Sequence, residues 1–408
     1  MKKITASLFF IALLICSCEK TILSDSRTEI DANLVPIEKA LELANFYLKN
    51  LDDSKTRSTS VRKVKSIKLL NTDKANTRAG LKDETNNLLY EINYENEKGF
   101  ALIGANYDIY NIYAIGTEGN LNWSDTIDNK GLAMFYRNLT RELKNKLPKT
   151  KITLPYLPDS NNPKFIKKVG PFHHNYQWSQ GEPFNNKCYT STGERAKVGC
   201  GPIAVAYMLW SQVHPNETPG TLAITHLPDG TYIDWFKIAN ATSIYIFDET
   251  LEAITTLFSD LGKPQHLNVT YGVSATSTSH DAVLKFFRDC GFKCEGYKVP
   301  TNTFYRDYWN RSRKNLYIRG ECFEGGHAWV NQGYAEIKDD NNIIKQYLYM
   351  NWGWGGKANA WYLAASEFDT SSAGSTAGAQ YGEIGLDDRW QPNTYFFNQD
   401  ILTLEISK

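Results

Sequence analysis

The apolar positions of this chain change period along its length, and each period predicts an element. After Pro36, residues Ile37, Ala40, Leu41, Ala44, Tyr47, Leu48 and Leu51 recur at three- and four-residue steps. That is the repeat of an amphipathic helix, with the proline where a first turn needs no N–H. Residues 52–87 are rich in Ser, Thr and Lys and read as loop, with one strand around Val64–Leu70. Short apolar runs at Leu88–Tyr94, Phe100–Gly104 and Ile109–Ile115 read as strands, the first two joined by a hairpin turn at Glu95–Gly99. Residues 130–147 return to a helical pattern. Residues 29–150 are therefore expected to form a small α+β unit with a meander of strands. Four prolines (Pro148, Pro155, Pro158, Pro163) then punctuate a polar stretch, the best candidate for a linker. Beyond it, Ile203, Ala206, Tyr207, Trp210 and Val213 predict one face of a helix, while Gly326–Val330 and Leu348–Trp352 predict strands.

At the other end, an apolar run from Ile4 to Ile15 follows Lys2 and Lys3. It is too short to span a bilayer and suits the core of a signal peptide. The run ends Ile15-Cys16-Ser17-Cys18, and a small residue before a cysteine resembles a bacterial lipoprotein cleavage site, with lipid on Cys18. No later stretch reaches the length of a transmembrane helix. The expected location is thus outside the cytoplasm, at the bacterial envelope or surface, held to the membrane through a lipid anchor only.

Length and composition agree with a globular exported protein of more than one domain. The 408 residues are 42% hydrophobic and 22% charged, with 45 Lys plus Arg against 45 Asp plus Glu. A balanced charge gives no electrostatic reason to expect nucleic acid as a partner. After Cys16 and Cys18, five cysteines remain: Cys188, Cys200, Cys290, Cys294 and Cys322. An odd number in an exported chain singles out one thiol as a reactive group and leaves three ways to pair the other four. Cys290 and Cys294 lack a second pair at metal-ligand spacing, so no metal and no cofactor are expected.

The reactive thiol is best placed at Cys200, in Val198-Gly199-Cys200-Gly201-Pro202 at the start of the predicted helix. A helix N-terminus stabilises a thiolate, and the flanking glycines would let a substrate backbone approach. A strand entered through two glycines carries His327, and the next strand ends at Asn351. An antiparallel hairpin centred near residue 339 would bring Asn351 to His327. Thiolate, imidazole and an orienting amide make the set needed for nucleophilic cysteine catalysis. Taken singly, Cys200 reads as a structural cysteine and His327 as a core histidine; taken together, the three point to chemistry. The run Trp352-Gly353-Trp354-Gly355-Gly356 reads either as a cover for the pair or as a carbohydrate-binding aromatic patch.

These blocks resemble the streptopain-type cysteine proteases, a branch of the papain-like clan made as zymogens by bacteria. Gln177 to Cys188 is similar to that family's Gln-Gly-x-Pro-Tyr-Asn segment, and Val198 to Trp210 to its nucleophile helix, with Gly201-Pro202 in place of the commoner Val-Ala. Gly325-Gly326-His327-Ala328 and Asn351 to Gly356 resemble its histidine and Asn-Trp blocks, the last being the most specific. Tyr271 to Thr278 resembles its substrate loop, and Phe397 to Leu402 its C-terminal segment. The likeness runs from residue 165 to 408 and extends more weakly over 35–120. There Gly99 to Tyr107 resembles a propeptide stretch, with Asn106 and Tyr107 where the family has two aspartates. The gating loop is thin, with two glycines between Ser371 and Ala379.

The resemblance implies an α+β fold: a two-lobed papain-like domain, one lobe helical and one antiparallel β, behind a small α+β propeptide. It divides the chain into a signal (1–17), a tether (18–34), an inhibitory propeptide (35–150), a linker with the maturation region (151–168) and a protease domain (169–408). It implies Cys200 as nucleophile, His327 as proton carrier and Asn351 as orienter of the ring. Gln180 would be the oxyanion donor, with Gln177 as its rival, and Gly326, Ser277, Trp352 and Trp354 would contact or shield substrate. Protein or peptide substrates, the propeptide as intramolecular inhibitor, a propeptide that folds separately, and cleavage after Lys167 follow as expectations. So does release from the envelope after maturation. A papain-like amidase or transglutaminase, and a catalytically silent binding protein on the same fold, are the competing readings.

Overall fold

Helix α1 (Ile37–Leu51) begins directly after Pro36, with Glu38 in its first turn and Lys49 in its last, charges that complement the helix dipole. It buries Ala40, Leu43, Ala44, Tyr47, Leu48 and Leu51 and leaves Ile37 at the surface. The protein is described here from a computed structural model. It covers residues 33–52, 62–71, 87–122, 129–133, 163–172, 177–212, 224–239, 248–297, 303–322, 325–339, 343–368 and 401–405, with helical positions 135, 136, 139 and 143. The lipidation candidate Cys18, the thin loop at 371–379 and most of the proline-rich linker lie outside these residues.

Four strands follow α1 as an antiparallel meander: β1 (Val64–Asn71), β2 (Asn87–Tyr94), β3 (Phe100–Gly104) and β4 (Ile112–Gly116). The third strand starts three residues later than expected, at Ile112, because Ile109 closes a 3₁₀ turn at Tyr107–Ile109, capped by the Asn106 side chain, which accepts from the Asp108 N–H. Helical positions from 130 to 143 bury Leu132, Phe135, Tyr136, Leu139 and Leu143.

The C-terminal region adds β5 (Lys164–Val169), α2 (Cys200–Gln212), α3 (Trp235–Ala239), α4 (Asp248–Leu261), α5 (His280–Asp289) and α6 (Phe304–Arg311). Strands β6 (Leu316–Cys322), β7 (Gly325–Lys338), β8 (Ile343–Asn351), β9 (Ala360–Phe368) and β10 (Ile401–Leu404) complete it. The strand order is β1-β2-β3-β4-β9-β8-β7-β6-β10, with β5 on the second half of β7. Helix α2 is the expected buried helix, enclosed on nearly every side, Gly201 through Leu209 included, and not only on the face its spacing picked out.

The buried apolar residues form two cores. One is helical, built from α2, α4, α5 and Trp178, and reaches Tyr317, Ala328 and Val330 on the sheet. The other runs without a break from α1 and the meander into β6–β9. The N-terminal region therefore shares one core and one sheet with the rest. β4 pairs with β9 through Ala114 with Tyr362 and Ile115 with Trp361. The buried Tyr347 hydroxyl lies 3.1 Å from the Ile112 carbonyl oxygen and 3.3 Å from the Tyr47 hydroxyl. A strand edge left unpaired is a liability, and sharing the sheet covers it for both parts.

The bond after Lys167 sits inside β5, where Lys167 faces Glu336 and Lys168 faces Ala335. A register shift between Phe165 and Lys167 leaves Ile166 exposed. Cutting after Lys167 requires β5 to leave β7 first.

Candidate active site

Cys200 is the first residue of α2, and the residue before it, Gly199, has φ of +100°, a conformation that favours glycine. A Cβ on Gly199 would lie 2.8 Å from Thr276 Cγ2, and one on Gly201 would lie 2.4 Å from Thr278 Cγ2. The two glycines thus let the 270–278 loop pack on the nucleophile, a nearer reason for them than substrate approach. That loop is closed by a bridge between Thr270 and Ser277. It is pinned by Thr276 Oγ1 donating to the Lys197 carbonyl (2.7 Å) and Thr278 Oγ1 donating to the Leu267 carbonyl (2.6 Å). Ser277 itself is exposed beside this wall.

Burial pushes the Cys200 thiol up, but a hydrogen bond and the charge of His327, the Ala328 N–H and the Arg319 guanidinium outweigh it and bring the thiol down to about 7. Cys188, Cys290 and Cys294 are free thiols. Desolvation raises all three, Cys290 to about 12 and Cys294 to about 11. Among these four, Cys200 alone is shifted toward the reactive thiolate. No group of three or more His, Cys, Asp or Glu among the described residues is placed to hold a metal ion.

His327, 4% exposed, stands on β7 beside a pair of packed indoles, its ring centroid 6.1 Å from Trp329 and 6.3 Å from Trp352, which are 5.3 Å from each other. Its Nε2 lies 3.1 Å from the Trp352 carbonyl oxygen. A carbonyl only accepts, so Nε2 carries a proton and Nδ1 is left to face the thiol.

Asn351 does not hold the ring itself. The hairpin is centred beyond residue 339, so Val330, not His327, lies opposite Asn351. The Asn351 amide instead donates to Gln332 (3.1 Å) and Gln177 (3.4 Å), and its Oδ1 accepts from the Gly353 N–H at 3.0 Å. That N–H and the Trp352 carbonyl belong to one planar peptide group. Asn351 therefore fixes the plane of the very group that meets His327. Asn359 holds the other side, its Oδ1 accepting from the Trp352 N–H at 3.1 Å. The Trp352 indole is fully buried and donates to the Ala358 carbonyl and the Tyr362 hydroxyl, both at 3.2 Å.

The two candidate glutamines separate by their bonds. Gln177 Oε1 accepts from Asn359 (2.8 Å) and Asn351 (3.4 Å), so its amide belongs to the scaffold. Gln180 is 6% exposed, and its carbonyl accepts from the Val198 N–H at 2.9 Å, two residues before the nucleophile. The strand-like strap carrying it is tied at Ser179 to Trp354 and at the Trp178 carbonyl to the Gly355 N–H. Gly326 is exposed next to His327, opposite Glu321 on β6.

Two participants were not singled out from the sequence. Arg319, opposite Ala328 on β6, donates to the Thr278 carbonyl at 3.1 Å and adds positive charge near the thiol. Gly131, at the start of the N-terminal region's last helical segment, abuts the site. A Cβ there would lie 2.6 Å from His327 Cδ2 and 2.7 Å from Trp352 Cε3. A glycine inside a helical pattern was the available signal.

Comparisons with known proteins match two parts of the chain. Residues 178–362 match the Peptidase C10 family, and residues 32–143 match the Spi protease inhibitor family. The chain carries a C10, streptopain-family domain. An inhibitor-type domain precedes it. The thiol protease/hemagglutinin PrtT of Porphyromonas gingivalis is 26% identical over 226 residues, which is 49% of this chain and 24% of that protein. The chain thus spans about a quarter of the length of this curated relative. Among solved structures, a fragment of Prevotella intermedia prointerpain A covers 79% of this chain and 96% of its own, at 19% identity and a TM-score of 0.47. Active interpain A covers 59% and 96%, at 18% identity and a TM-score of 0.38.

Proposed function

We propose that this chain is an exported cysteine endopeptidase made as a zymogen, and that the N-terminal domain holds it inactive. The observation that carries the reading is the Cys200 thiol, bonded to His327 at the head of a buried helix and brought down to about 7. In this mechanism the Cys200 sulfur attacks the peptide carbonyl carbon. The oxyanion accepts from the Gln180 side-chain amide and the Cys200 N–H. His327 gives its Nδ1 proton to the leaving amine, then takes one from the water that opens the thioester. The Trp352 carbonyl keeps the ring in place, and Asn351 acts as a positioning residue through the 352–353 peptide. The Gly131 contact supports latency, because a helix seated on His327 occupies space that a substrate needs.

Export and lipid attachment at Cys18 belong to the same proposal, supported by the basic start and the Ile4–Ile15 run. Release of the protease domain by maturation would separate it from the anchor.

The test is to express the chain without its first 18 residues beside a Cys200→Ala copy and follow both on a gel with and without reductant. Reductant-dependent loss of the N-terminal region in the first alone supports the reading. If neither is processed and an epoxysuccinyl probe labels neither, the proposal fails. Incorporation of labelled palmitate into the full chain, and its loss in Cys18→Ala, tests the anchor separately.

A further inference from the structure

Lys197 lies three residues before Cys200, and its side chain has an unusual seat. Its Nζ sits over the Trp354 ring, 5.6 Å from the centroid. A Cβ on Gly181 would come 3.6 Å from the same nitrogen, so the ammonium lies beside the residue that follows Gln180. The seat is fixed by the backbone. The Lys197 N–H donates to the Gly272 carbonyl at 3.0 Å, and the Lys197 carbonyl accepts from Thr276 Oγ1 at 2.7 Å. Trp354 is held by its bridge to Ser179. Lys197 and Trp354 are both half-buried, and no carboxylate among the described residues pairs with the lysine. Glu182, next to Gly181, and Glu194, three residues before Lys197, are both exposed.

The chemistry tells which part of a substrate passes this point. The leaving nitrogen must sit at His327 to be protonated, and the oxyanion must sit at Gln180. His327 bonds the Trp352 carbonyl, so the chain beyond the leaving nitrogen continues over the Trp352–Trp354 segment. There it meets an aromatic surface carrying a positive charge. An ammonium on an indole face is attracted to the ring yet keeps free donor directions for an anion.

We infer that Lys197 and Trp354 form a subsite on the leaving-group side of the cleft, selecting substrates with an aspartate or glutamate within two residues after the scissile bond. The inference rests on the protease reading. A carboxylate there would gain one charge-assisted hydrogen bond at a partly solvated rim. Such a contact is worth roughly a three- to tenfold preference over the neutral amide.

The experiment uses processed enzyme and internally quenched peptides that differ only by Asp or Asn at the first or second position after the cut. Wild type is expected to prefer the Asp peptide by about three- to tenfold in kcat/KM at low salt, and less at high salt. In Lys197→Met the Asp to Asn ratio should fall to about one, and in Lys197→Glu it should invert. Equal rates for both peptides in wild type, or a preference that survives Lys197→Met, overturns the subsite while leaving the protease reading intact. No cleavage of either peptide, with a Cys200 thiol that fails to take the epoxysuccinyl probe, overturns both.

Discussion

Gly131→Ala adds a single methyl group where the N-terminal helix meets His327. That methyl carbon would lie 2.6 Å from His327 Cδ2 and 2.7 and 2.8 Å from two atoms of the Trp352 ring. All three are well inside contact distance, so something must move. His327 is held on the paired strand β7, and Trp352, just past the end of β8, is clamped by Asn359, Ala358 and Tyr362. Gly131 lies at the head of its helical segment and has more freedom to shift. Overpacking by one methyl costs about 1–3 kcal/mol, and three close ring contacts argue for the upper half of that range. Against it, alanine stabilises a helix over glycine by roughly 0.5–1 kcal/mol. The net loss of docking is about 1–2 kcal/mol. If opening limits activation, processing should run about 5- to 30-fold faster. The assay is the half-time of self-processing of purified precursor in reductant, read beside the rate at which an epoxysuccinyl probe labels Cys200 in the intact precursor. Both rates should rise together. Processing at the wild-type rate or slower, with unchanged labelling, would refute the idea that this helix guards the histidine.

Further expectations concern the catalytic groups. Alkylation of Cys200 in processed enzyme should rise with pH through about 7, because the thiolate is the reacting form. In His327→Ala the midpoint should move up toward the ordinary thiol value near 9, since the strongest opposing influences are gone; an unmoved midpoint would deny the pairing. Gln180→Ala should lower kcat about a hundred- to a thousandfold with little change in melting temperature. Gln177→Ala should instead cost about 1–3 kcal/mol of stability, because it strips an acceptor from Asn351 and Asn359; thermal melts of the two variants separate these roles. Asn351→Asp would set a carboxylate against the amide oxygens of Gln177 and Gln332, and both kcat and melting temperature are expected to fall.

Much of the site was legible because local pattern and chemistry coincide there. The run around Cys200 announces a helix start, the double glycine before His327 announces a strand entry, and the Asn-Trp block is distinctive in composition. Periodicity also located α1 and the meander, since a period of 3.6 or 2 reflects a face that must be buried. It failed where burial is complete: α2 is enclosed on almost all sides, and no face can be read from an apolar run without contrast.

What the sequence alone determined is which groups are candidates for the chemistry and where most of the helices and strands lie. The tertiary structure decided how those groups meet. A hairpin centred beyond residue 339 kept Asn351 from lying opposite His327, and the ring meets the Trp352 carbonyl instead; a backbone group leaves no trace in residue identity. Gln177 and Gln180 are alike in sequence and differ only in which neighbours the fold brings to them. The shared sheet of β4 and β9, the seat of Gly131 on His327 and the cation over Trp354 each join residues far apart in the chain. Such contacts depend on where packing places whole elements, and no local window of sequence carries that information.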